Sequence, residues 1–174
     1  MLKTLRQIAA VGIVTEAPPQ ADPALRVHEG LQQRIREVLG RALCIRHVDA
    51  GSCNGCELEI HALNNPLYNL EGLGIRFVAS PRHADLLLVT GPVSRHMQVA
   101  VRRTYEATPE PRLVVALGDC GCTGGIFGES YASCGRVANV IPVDVAVPGC
   151  PPSPTRILEG ILAAISRPAS IAHR

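Results

Sequence analysis

The chain has 174 residues, of which 47% are hydrophobic, 18% charged and 3% aromatic, with no Trp and a formal net charge of +2 at pH 7. That length predicts one domain with an aliphatic core, and the low charged fraction predicts a face covered by another subunit. With so small a positive balance, no basic run longer than two residues and few rings to stack on bases, nucleic acid is not the expected partner.

Residues 1–25 read as an N-terminal arm and linker, and 26–174 as a single α/β domain. The arm is faintly amphipathic. Its apolar stretch, residues 8–14, is too short to span a bilayer and has neither a clear cleavage site nor a twin-arginine pair. A docking arm is the expected role, with a membrane-surface helix as the alternative. Pro18, Pro19 and Pro23 mark 15–25 as a linker. Val27, Leu31, Ile35 and Leu39, spaced by four, predict an amphipathic helix over 26–43 that covers one face of a sheet.

A short strand over 44–48 leads into a cysteine loop and a helix from about 57 to 63, interrupted at Asn64-Asn65-Pro66. Weak helical character resumes over 67–73. A short strand over 75–79 and a turn over 80–84 follow. Residues 85–91 and 112–118 are continuous apolar runs of the kind found in buried parallel strands, separated by a helix over 96–107. The pattern is irregular from 124 to 138, a last strand falls within 140–147, and Ser153 and Pro154 open a closing helix that runs to 166. Strands alternating with helices predict a doubly wound, mainly parallel sheet of four or five strands.

Seven cysteines, an odd count without a secretory signal, argue against a disulfide framework and for a reducing compartment. Cys53 and Cys56 lie where a strand hands over to a helix, whose N-terminus favours thiolate. Cys120 and Cys150 also follow strand ends, the edge of an open α/β sheet where ligands sit. Such thiols suit an iron–sulfur cluster, a zinc ion or a redox disulfide. Glycine around each of them, and the Cys150-Pro151 pair, favour the cluster, because small residues let backbone N–H groups approach its sulfides. A structural zinc more often shows a second paired ligand set. Cys122 rivals Cys120 on the same glycine loop, and the position of Cys120 nearer the strand end favours it. Cys44 reads as a buried inert thiol and Cys134 as a bystander.

Five stretches occur together in order: Gly51-Ser52-Cys53-Asn54-Gly55-Cys56-Glu57-Leu58-Glu59-Ile60, Ser80-Pro81-Arg82-His83-Ala84-Asp85, Val89-Thr90-Gly91-Pro92-Val93, Gly118-Asp119-Cys120 and Val147-Pro148-Gly149-Cys150-Pro151-Pro152. Over about residues 41–165 they resemble the small subunit of membrane-bound, energy-converting (group 4) nickel–iron hydrogenases of the formate hydrogenlyase type. That family is similar in turn to the B subunit of NADH:quinone oxidoreductase. The resemblance implies a flavodoxin-like domain with one 4Fe–4S cluster on Cys53, Cys56, Cys120 and Cys150.

The resemblance further implies an electron relay next to the nickel–iron site of a large partner subunit, and no substrate-transforming site in this chain. A ferredoxin-like iron–sulfur subunit and membrane subunits would complete a peripheral assembly on the cytoplasmic side of the inner membrane. The quinone branch has adjacent cysteines where this chain has Cys53-x-x-Cys56, which places it on the hydrogenase side; Cys122 and Cys134 are additions to the family pattern. The rivals are the same relay in a nickel-free complex and a zinc-stabilised scaffold subunit.

Glu57 and Glu59 are expected as first-turn partners of the helix dipole, with Glu57 also a proton-path candidate. Arg82 and His83 are expected to meet the partner, and His47 and Asp49 to support the cluster loop. His28, His61, His96 and His173 read as exposed helix or tail. No nucleotide-binding motif is present.

Overall fold

The computed structural model describes residues 2–12 and 23–166. Two helices, α1 (Leu2–Val11) and α2 (Pro23–Leu39), precede β1 (Leu43–Asp49) and α3 (Gly55–Ala62). Then come β2 (Ile75–Phe77), β3 (Leu86–Thr90), α4 (Gln98–Ala107), β4 (Leu113–Leu117), α5 (Gly118–Thr123), β5 (Val145–Val147) and α6 (Pro154–Ile165). The strands form one parallel sheet in the order β2-β1-β3-β4-β5. That is the flavodoxin-like order, with its switch point between β1 and β3.

The continuous apolar runs are explained by burial on both faces. Leu86 and Leu88 join Leu31, Ile35, Ile157 and Ile161 on the face covered by α2 and α6, while Leu87 and Val89 join Val101 of α4 and Val137 on the other. Every residue of β3 and β4 is therefore buried, and no polar alternation is left to see.

The boundaries differ from expectation where local chemistry intervenes. The helix expected over 26–43 ends at Leu39 because Gly40 takes a left-handed conformation (φ +62°) and its N–H closes the last turn on the Arg36 carbonyl. Over 67–73 there are turns rather than a helix: the Asn65 Oδ1 accepts from the N–H groups of Leu67 and Tyr68. The second cysteine loop contains the short helix α5, and α6 begins as expected with Ser153 Oγ accepting from the Arg156 N–H. Most of the expected linker lies outside the described residues.

Candidate metal centre

The loop after β1 is folded by the strand's last side chain. Asp49 Oδ1 accepts from the N–H groups of Gly51 and Ser52, each at 2.8 Å, and Ser52 Oγ accepts from Asn54 N–H at 3.1 Å. Asn54 then turns the chain at φ 71°, and α3 starts with Cys56 in its first turn. Asp49 thus supports the loop as expected. On the far side, Asp119 joins two other segments: its Oδ1 accepts from Gly149 N–H at 2.8 Å and its own N–H donates to the Gly149 carbonyl at 2.9 Å. This clamp holds Cys120 beside Cys150. The sequence reading missed it, although an aspartate one residue before a candidate ligand was the available signal.

Cys53, Cys56, Cys120 and Cys150 line one cavity of about 170 Å³, completed by Ser52, Gly55, Gly91, Gly118, Asp119, Gly149 and Pro151. Two glycines make room for sulfur. A Cβ on Gly118 (φ +81°) would lie 2.7 Å from Cys56 Sγ, and one on Gly125 (φ +54°) 2.8 Å from Cys120 Sγ. The donors surround a space rather than converge on a point; among the described residues no group of three or more His, Cys, Asp or Glu is close enough to hold a single ion.

The remaining cysteines stand apart. Cys122 Sγ points back to the Ala116 carbonyl at 3.6 Å, Cys134 is buried in the core, and Cys44 is half-buried rather than buried, with Sγ 3.8 Å from the Ala42 carbonyl.

The expectation that the helix N-terminus favours thiolate is overturned for Cys56. Burial, followed by the negative charge of Glu57 and of the neighbouring thiolates, pushes this thiol up to about 12. Cys120 is raised as well, by burial first and then by Cys150, Cys53 and Asp119. Cys56 and Cys120 are thus the two cavity thiols that burial and their neighbours hold protonated. A polycationic group bound among such thiols would reverse this, since coordination deprotonates thiols outright.

Glu57 lies in the first turn of α3, as expected, and is buried there: it is 7% exposed, with Oε1 accepting from the hydroxyl of Thr90, a residue at the buried end of β3 that sequence reasoning missed. His47 Nε2 lies 3.0 Å from Thr90 Oγ1 and 3.6 Å from Glu57 Oε1, while Glu57 Oε2 has no hydrogen-bond partner among the described residues. Burial lowers the His47 pKa, opposed in part by Glu57 and Asp49. His47 and Glu57 border a second cavity of about 260 Å³, shared with Arg46, His61, Asn64 and Phe77. Glu59 is half-buried; Arg82, His83, His61 and His96 are exposed, and neither Arg82 nor His83 lines the thiol cavity. The side chain of His28 and all of His173 lie outside the described residues.

The profile of the family described as NADH ubiquinone oxidoreductase, 20 Kd subunit, matches residues 53–164, a span that begins at Cys53 and takes in all four cavity cysteines. The probable membrane-bound hydrogenase subunit mbhJ of Pyrococcus furiosus is 45% identical over 144 residues, covering 81% of this chain and 86% of that one. Formate hydrogenlyase subunit 7 of Escherichia coli is 45% identical over 135 residues; the match covers 78% of this chain but about half (53%) of the relative. Among solved structures, a chain of the membrane-bound sulfane sulfur reductase, an archaeal respiratory membrane complex, superposes with a TM-score of 0.63 at 35% identity, covering 79% of this chain and 74% of that one. Sheet order, cysteine placement and these matches agree: the chain belongs to the NADH ubiquinone oxidoreductase 20 Kd subunit family, a family of oxidoreductase-complex subunits.

Proposed function

We propose that Cys53, Cys56, Cys120 and Cys150 hold one 4Fe–4S cluster and that this chain is the electron-transfer subunit of a membrane-associated hydrogenase complex. The observation that carries the reading is that four thiols, delivered by three separate strand ends, line one cavity of about 170 Å³. A cluster bound there supplies uptake and release of single electrons. The chain's own residues hold the donors. Asp49 shapes the first loop, Asp119 clamps the other two, and Gly118 and Gly125 leave room for sulfur. Donors spread around a cavity suit a multinuclear group better than a zinc ion, which needs all its ligands within about 2.3 Å of one point.

The relatives named for hydrogenase and formate hydrogenlyase support a large nickel–iron partner next to the cluster, with a ferredoxin-like subunit and membrane subunits beyond it. Leu58, two residues after Cys56, and Ile126 and Phe127, directly after Gly125, are exposed and give such a partner apolar surface to cover. In this reading residues 26–174 are the cluster-binding unit, 1–25 an arm, and the assembly sits on the cytoplasmic side of the inner membrane. The likeness to a chain of a sulfane sulfur reductase favours a second reading: the same relay in a complex whose large subunit lacks nickel.

Metal and sulfide content of the intact complex, isolated anaerobically through this subunit, tests the proposal. Iron and acid-labile sulfide at about four each per chain are expected. Nickel in step with the large partner selects the hydrogenase reading, and iron without nickel selects the second. Zinc at one per chain, without sulfide, overturns both.

A further inference from the structure

The helix α1 buries none of its residues. At about 100° per residue, Leu2, Leu5, Ile8, Ala9 and Val11 fall on one half of its circumference and Lys3, Arg6 and Gln7 on the other. The four large apolar side chains are 61–73% exposed. A ten-residue helix is marginal in water unless its apolar face is packed against something, so α1 is built for a surface outside this chain.

We infer that this surface is an anionic lipid bilayer, with α1 lying in the plane of the headgroups. Charge is the first reason: residues 1–15 contain Lys3 and Arg6 and no aspartate or glutamate, which complements phosphate headgroups. The composition of the apolar face is the second. Protein interfaces are anchored by aromatic and arginine side chains that fill specific pockets, whereas this stripe is aliphatic and graded only by hydrophobicity. Length is the third, because about 20 residues are needed to cross a bilayer, and among the described residues no helix is long and apolar enough to do so. The contact therefore lies on the membrane, and it stands or falls independently of the cluster reading.

Cosedimentation of the whole chain with vesicles of phosphatidylcholine, with or without phosphatidylglycerol, tests the inference. The native chain should bind the phosphatidylglycerol vesicles, bind pure phosphatidylcholine more weakly, and lose binding as salt is raised. The pairs Leu5→Glu with Ile8→Glu, and Lys3→Glu with Arg6→Glu, should each weaken binding to the anionic vesicles about tenfold or more. Because α1 contributes nothing to the core, both variants should keep the native circular dichroism and melting temperature. Equal binding by native chain and variants overturns the inference. So does a native chain that ignores both vesicle types while the Leu5→Glu, Ile8→Glu chain drops out of the purified complex, which would make α1 a protein-docking arm.

Discussion

Cys120 and Cys122 show what one residue of placement decides. Two positions apart on α5, they point to nearly opposite sides of the helix, one lining the cavity and the other returning to the Ala116 carbonyl. The sequence reading preferred Cys120 for its place nearer the strand end but set both on a loop, because Gly118-Asp119-Cys120-Gly121-Cys122-Thr123 has too little helix propensity to be recognised. Cys120→Ser should abolish the iron signal in electron paramagnetic resonance, and Cys122→Ser should leave iron content and spectrum unchanged; the reverse result would reassign the ligand. Thr90 is a second such case. It is fully buried and its hydroxyl donates to Glu57 Oε1, so the isosteric Thr90→Val keeps the packing and removes that bond, leaving Oε1 only the longer approach of His47 Nε2 at 3.6 Å among the described residues. A loss of about 1–3 kcal/mol in denaturant unfolding is expected. Thr90→Ser, which keeps the hydroxyl, should recover most of it; full stability in Thr90→Val with a loss in Thr90→Ser would show that the methyl, not the hydroxyl, is what matters. Nothing in a one-dimensional pattern pairs a threonine at a strand end with a glutamate 33 residues earlier.

Elements were legible in proportion to how much of their signal is local. β3 and β4 announce themselves by unbroken apolar runs, and α6 by its cap and its apolar stripe, because burial on two faces or on one imposes those patterns directly. β5 pairs over only three residues, and its alignment depends on Asp144 accepting from the Val114 N–H across the sheet, so no stretch of sequence carries its signal alone. α5 exists because the strand β4 delivers Gly118 into a left-handed turn and Asp119 is held by Gly149. That makes Asp119 the link between two cysteine-bearing segments, not a generic loop residue. Asp119→Ala removes the acceptor for Gly149 N–H while every residue of the sheet stays in place. The expected outcome is iron lost several times faster to a chelator, with the melting temperature of the iron-free chain nearly unchanged; if iron is retained as in the native chain, the clamp is ornamental.

At the scale of the whole molecule, packing and thiol cavity occupy different regions. The apolar clusters on the two faces of the sheet draw on α2, α4, α6 and the strands, and of the four cavity thiols only Cys56 packs against either. The cavity walls come from loops and first turns at the carboxyl edge of the sheet, rich in glycine and held by single side chains such as Asp49 and Asp119. Folding and the proposed metal binding are therefore separable in part. On the proposed reading, a sheet buried on both faces stands without the metal, whereas the glycine-rich segments that enclose the four thiols gain order from what those thiols bind. Anaerobic removal of iron by a chelator, followed by hydrogen–deuterium exchange, should raise exchange over residues 50–56, 118–125 and 148–151 and leave β3 and β4 protected. Uniform loss of protection would mean that the metal holds the whole fold. Unchanged exchange at all three segments would mean that the protein alone preforms the cavity, in which case the tight placement of Gly118 against Cys56 and of Gly125 against Cys120 is already paid for by the apo fold.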